Sequence, residues 1–278
     1  MNLTANKVCA WSGVVFVVML LVGFWAIAGF IPPHYPQNDA GQIAAIFHTD
    51  TNRIRIGLIV TIFGSALIVP WAASISIQMR RIEGPQAVLA VCQIAFASLL
   101  VFTFEFPLFF WLTATFRADR PAESVQLLND LAWLPFVGLT ILTVLQAAVI
   151  GVAILGDASP APVFPRWAGY VNLWCAVLFI PGTFNVFFKS GPLAWNGLIA
   201  FYLPVLAFCI WFVVNTFVVL KAIGQQERMI SESLAGPTPL SAPPTIEAVA
   251  AEVAALREDL SSMSGRPMLR TAVPHARS

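Results

Sequence analysis

Apolar residues in this chain gather into long runs and do not alternate with polar ones. Six runs occupy approximately 9–31, 55–79, 88–116, 131–156, 166–188 and 195–222. About 20 apolar residues of helix cross the ~30 Å hydrocarbon core, and backbone groups in lipid must bond within their own segment. The runs are too long and too uniform for strands. They predict an all-α polytopic membrane protein, a six-transmembrane-helix up-down bundle over residues 1–228. The first run exceeds a signal-peptide core, so it too is read as a span.

The polar stretches between the runs have patterns of their own. In IPPHYPQNDAGQIAAIFHTDTNR (31–53), Asn38 or Asp39 can cap a short helix whose apolar stripe is Ile43, Ala44, Ile46 and Phe47. RADRPAESVQLLND (117–130) predicts a second surface helix, with Pro121 in its first turn and Val125, Leu127 and Leu128 apolar. After the last run, residues 229–244 are Ser/Pro-rich and read as a flexible linker. Residues 245–263 are then read as a cytoplasmic amphipathic helix, with Ile246, Val249, Val253, Leu256, Leu260 and Met263 at heptad spacing. That stripe predicts self-association, giving a homo-oligomer, or docking on a partner protein. Residues 264–278 read as a disordered tail.

Charge sets the orientation. An N-terminus inside the cell puts Lys7, Arg80, Arg81, Arg166, Lys221 and Arg228 on the cytoplasmic side, with tail arginines 257, 266, 270 and 277. Arg53, Arg55, Arg117, Arg120 and Lys189 then lie outside. The tight RRIEG turn favours the cytoplasm, so both termini are placed there, in a bacterial inner membrane. Trp111, Trp133 and Trp195 are expected at the outer interface and Trp11 and Trp167 at the inner one.

Composition narrows the chemistry. With 58% hydrophobic residues and a net charge of +1, the chain offers no basic stripe to a nucleic acid. Its partner is the lipid bilayer. The four cysteines form no CxxC pair and read as apolar packing residues. No phosphate loop, dinucleotide fingerprint, nucleophile elbow or HExxH is present, so no cofactor or catalytic residue is expected. His34, Asp39, His48 and Asp50 could offer nitrogen and oxygen ligands, but their spacing matches no metal site and none is assigned.

Polar residues inside the spans remain. Glu105 is the one carboxylate well within a run, in FTFEFPLFFW. An intramembrane charge is a functional-site hypothesis by default. Twelve residues of helix place Glu105 about 18 Å below Arg117, and Gln146 lies at a similar depth below Asp130. With Asn185, Lys189 and Arg55 on neighbouring segments, these residues form a candidate intramembrane polar site. The same carboxyl could instead be a protonated structural pin, bonded to Gln146 or to a carbonyl freed by Pro107. Gln93, Asn172 and Asn215 read as interhelical hydrogen-bonding residues. Prolines at 70, 107, 135, 181 and 204 mark five runs as places to kink or break, most sharply at FIPGTFN (179–185).

The strings TNRIRIGLIVTIFGSALIVPW, LLNDLAWLPF, FPRWAGYVNLWCAVLFIPG and FFKSGPLAWNGLIAFYLP resemble a family of actinobacterial and proteobacterial six-helix integral membrane proteins with no assigned function. The resemblance covers about 31–222 and implies topology alone. Two function classes follow from the residues: a non-enzymatic scaffold or accessory subunit, and a small solute or proton transporter or channel built around Glu105. A membrane enzyme is less favoured, because no nucleophile–base pair or metal cluster is visible.

Overall fold

The computed structural model describes residues 3–234 and, further on, residues 249, 250, 253, 254 and 256. Among these residues the chain is all-α, with six helical stretches long and apolar enough to cross a membrane. The spans are Leu3–Ile27, Thr51–Glu83, Val88–Phe116, Ala122–Gly156, Arg166–Phe187 and Leu198–Leu234. The chain is an integral membrane protein surrounded by lipid.

Span 1 is α1 (Leu3–Leu20) followed by a π-helical segment, Leu21–Ile27. A short helix, α2 (Ala40–Thr49), then starts at Asp39, one of the two caps the sequence offers, and the cap is a reciprocal box: Gln42 N donates to Asp39 Oδ1 at 2.8 Å, and Asp39 N to Gln42 Oε1 at 3.1 Å. Its buried face is Ile43, Ala44 and Phe47, laid against the following spans. Span 2 comprises α3 (Thr51–Ser65) and α4 (Ile68–Glu83), and span 3 is α5 (Val88–Phe116). Span 4 comprises α6 (Ala122–Gly138) and α7 (Ile141–Gly156). Span 5 is α8 (Arg166–Phe179) with a 3₁₀ segment, Ile180–Phe187; span 6 is a π segment, Leu198–Tyr202, leading into α9 (Leu203–Leu234).

Small residues let the helices approach. Gly151 in α7 faces Gly169 in α8, where an added Cβ on either would lie 3.0 or 3.2 Å from the other's carbonyl oxygen. This is how helices associate where lipid removes the hydrophobic drive between them. Asn172 of α8 and Asn215 of α9 exchange two amide hydrogen bonds of 3.2 Å, and Trp211 Nε1 donates to Asn172 Oδ1 at 2.6 Å. On the N-terminal face, Lys7 and Glu227 form a 2.7 Å ion pair, and Glu83 accepts from the backbone of Leu89 and Ala90.

Three expectations change. The second surface helix is not separate: α6 begins at Ala122 and runs into span 4. Trp111, Trp133 and Trp195 lie buried in the core, while Trp11 and Trp167 are exposed. The last helix reaches Leu234, inside the stretch read as linker.

Contacts divide the chain after Glu227. In the C-terminal part the described residues Val249, Ala250, Val253, Ala254 and Leu256 are helical, and Val249, Val253 and Leu256 are exposed. Ile246, Leu260 and Met263, the rest of the heptad stripe, lie outside the described residues, as do most of the linker and residues 264–278.

Candidate functional site: a cavity among broken helices

Five spans change geometry inside the membrane, and four of those changes carry a proline. Pro70 sits in the first turn of α4, where a missing N–H costs nothing, and Pro204 lies where the π segment passes into α9. Pro181 opens the 3₁₀ segment. Pro135 lies one turn before the break at Leu139–Thr140, where Leu139 N still reaches Pro135 O at 2.9 Å. Pro107 behaves differently, and α5 stays helical through it. The π segment of span 1 has no proline.

The breaks in spans 4, 5 and 6 meet α5 around a cavity of about 100 Å³. Leu100 and Phe104 form one wall, Val137 and Thr140 a second, and Ala200 and Phe208 a third. Gly182 brings the 3₁₀ segment against span 4, since a Cβ there would lie 2.5 Å from the Val137 carbonyl oxygen. Thr140 and Thr183 hydroxyls meet at 2.8 Å across the same junction. Leu139 is 46% exposed, and Thr103, Phe136, Pro204 and Val205 are half-buried. The mouth therefore opens on the lipid-facing side, near the middle of spans 3 and 4.

Aromatic rings seal the cavity towards both faces. Phe136 stacks on Phe24 (centroids 4.9 Å) and meets Trp111 at 5.4 Å. Towards the N-terminal face, Phe104 meets Phe208 at 5.7 Å, Phe208 meets Phe212 at 4.8 Å, and Phe212 stacks on Trp71 at 4.0 Å. This run of rings leaves no polar path through the core along that line.

Beyond the cavity, on the side of α2, lies a buried polar cluster. Asn129 Oδ1 accepts from Trp111 Nε1 at 3.3 Å and lies 3.2 Å from His34 Nδ1. Because an amide oxygen only accepts, Nδ1 carries the proton and the ring's other nitrogen is free to accept. Trp195 Nε1 donates to His34 O at 2.7 Å. Asn129 Nδ2 and Trp133 Nε1 are buried without a hydrogen-bond partner among the described residues. The sequence puts His34 in the polar stretch after the first run, and only the fold of α2 over it reveals its burial.

Burial holds the His34 imidazole below its ordinary pKa of 6.5, against the opposing pull of the Asn129 bond. The unfolded chain then binds a proton more readily than the folded one, so His34 lowers stability as pH falls below 6.5. Its contribution is complete above that pH. Thermal unfolding in detergent should show a lower midpoint at pH 5.5 than at pH 7.5, and His34→Gln should flatten that fall. An equal fall in both proteins would show that His34 does not carry it.

The predicted polar residues take separate places. Glu105 is half-buried and does not line the cavity. Gln146 is fully buried with neither amide atom hydrogen-bonded. Asn185, in the 3₁₀ segment, donates to Leu134 O at 3.2 Å. Arg55 grips the end of α5 through Thr115, with Nε 3.2 Å from Oγ1 and Nη2 on the carbonyl. Lys189 is exposed. No hydrogen bond or ion pair joins any two of these five. Among the potential ligands, Asp39 caps α2, Asp50 pairs with Arg53 at 3.2 Å, and His34 is occupied as described.

No protein-family model, curated protein or solved structure matches this chain.

Proposed function

We propose that this protein is a non-enzymatic scaffold or accessory subunit of the bacterial cytoplasmic membrane, with both termini cytoplasmic. It assembles with further copies of itself through the outward face of α5 and through the heptad stripe read from the sequence at 245–263. Glu105 carries this reading. It lies mid-way along a 29-residue apolar helix and makes no hydrogen bond or ion pair with any described residue. Phe102, Phe106 and Phe109 on the same flank are 61%, 43% and 57% exposed. A carboxyl at that depth costs several kcal/mol against lipid, and a second helix supplying a hydrogen-bond partner removes much of that cost.

Native mass spectrometry from nanodiscs tests the assembly. The full chain should be multimeric, and both Glu105→Leu and deletion of 240–278 should shift it towards monomer. A monomeric full chain would overturn the proposal.

A second reading, a small transporter, draws support from the discontinuous helices around the cavity, an arrangement typical of transport sites. Its cargo would be apolar, since Glu105 stands outside the cavity wall.

A further inference from the structure

We propose that the cavity between α5, the break in span 4 and the start of α9 takes the carbonyl- or carboxyl-bearing end of one hydrocarbon chain, which meets the first turn of α7 while the rest of the chain extends through the mouth. This inference is independent of how the protein assembles.

The cavity lies at hydrocarbon depth and its mouth opens to lipid. Water does not settle in apolar space of this kind, so the available occupant is hydrocarbon. Leu100, Phe104, Val137, Ala200 and Phe208 offer a chain a continuous apolar and aromatic wall.

One edge is polar. The break at Leu139–Thr140 starts a new helix of 16 residues in mid-membrane, and its N-cap, Thr140, makes no side-chain cap bond. The backbone N–H groups of Ile141, Leu142 and Thr143 have no carbonyl partner from the preceding turn. Such orphan donors and the positive end of the helix dipole favour an acceptor oxygen.

A second observation points the same way. Thr143 lines the cavity, is only 6% exposed, and its hydroxyl makes no hydrogen bond with any described residue. A hydroxyl that faces an apolar cavity without a protein partner is costly, and a ligand oxygen would satisfy it. Thr140, bonded to Thr183, keeps spare hydroxyl capacity beside it. An apolar slot ending in orphan donors fits a chain with an acceptor head, as in a fatty acid or the ester end of a phospholipid acyl chain.

Photo-crosslinking in nanodiscs tests the site and separates the two sources. One arm uses a palmitic acid carrying a diazirine and an alkyne; the other uses a phosphatidylcholine with the same modified chain. Adducts mapped by mass spectrometry should fall on residues 137–143 and 200–208 in at least one arm. The arm that labels identifies the source. Ala200→Leu and, separately, Val205→Phe should each reduce those adducts about fivefold or more, while labelling of exposed Phe106 and Phe109 stays unchanged. Thr143→Val, which keeps the shape, should weaken competition by unlabelled palmitic acid about fivefold. Adducts confined to the outer surface in both arms, or undiminished in both filled variants, would overturn the proposal.

Discussion

Gly57→Ala should abolish the normal fold or cost at least about 3 kcal/mol, a severe penalty for one methyl group. Gly57 of α3 and Gly23 of span 1 bring two backbones into contact. A Cβ on Gly57 would lie 2.5 Å from the Ala28 nitrogen and close upon the Gly23 carbonyl oxygen. A Cβ on Gly23 would meet the Gly57 carbonyl oxygen and Thr61 Oγ1, each at 2.6 Å. Backbone atoms cannot rotate away as a side-chain tip can, so the helices must separate. The π segment Leu21–Ile27 then loses the neighbour against which it is shaped. Gly224 is the internal control: nothing lies within 4 Å of an added Cβ. Gly224→Ala in the interior of α9 should be neutral or stabilising by about 0.5–1 kcal/mol. Titration with a denaturing detergent, followed by tryptophan fluorescence, measures both. A Gly57→Ala protein as stable as the parent would show that spans 1 and 2 do not pack this closely.

Asn129→Leu should cost about 2–6 kcal/mol. Its Oδ1 serves two buried donors at once, His34 Nδ1 and Trp111 Nε1. Removing it orphans both, at about 1–3 kcal/mol each. Among the described residues the cluster already carries unpartnered donors at Asn129 Nδ2 and Trp133 Nε1, so no acceptor there compensates for donors left without a partner. Asn129→Asp keeps the shared oxygen and should recover part of the loss. The same detergent titration reads the difference. If Asn129→Leu is neutral, the hydrogen bonds through Asn129 do not support this face of the bundle.

Different physical signals explain which parts of this structure the sequence disclosed. The spans were legible because a bilayer demands about 20 apolar residues from each crossing, and lipid leaves helices as the means of satisfying the backbone. Proline chemistry marked the irregularities at 70, 135, 181 and 204, since each removes a donor at a local place. The π segment of span 1 escaped notice because its cause is the non-local approach of Gly23 and Gly57. The habit of their type points Trp111 and Trp195 to the interface. In the structure, acceptors at Asn129 and the His34 carbonyl satisfy their N–H groups inside. Glu105 and Gln146 illustrate a further limit. Counting residues along antiparallel helices estimates depth but not rotation about each axis. Gln146 faces the core, whereas Glu105 sits at the edge of the lipid-facing flank. The cavity itself arises where three breaks coincide, and no local window of sequence reports that coincidence.

The outward face of α5 therefore bears the central claim, and disulfide cross-linking in native membranes tests it most directly. In a background with Cys9, Cys92, Cys175 and Cys209 replaced by alanine, Phe109→Cys should give a cross-linked dimer on mild oxidation. Val213→Cys, an exposed position on α9, serves as the reference. Assembly through this face should give several-fold more dimer from Phe109→Cys, falling to the reference level when Glu105→Leu is added. Equal cross-linking at the two positions would contradict it.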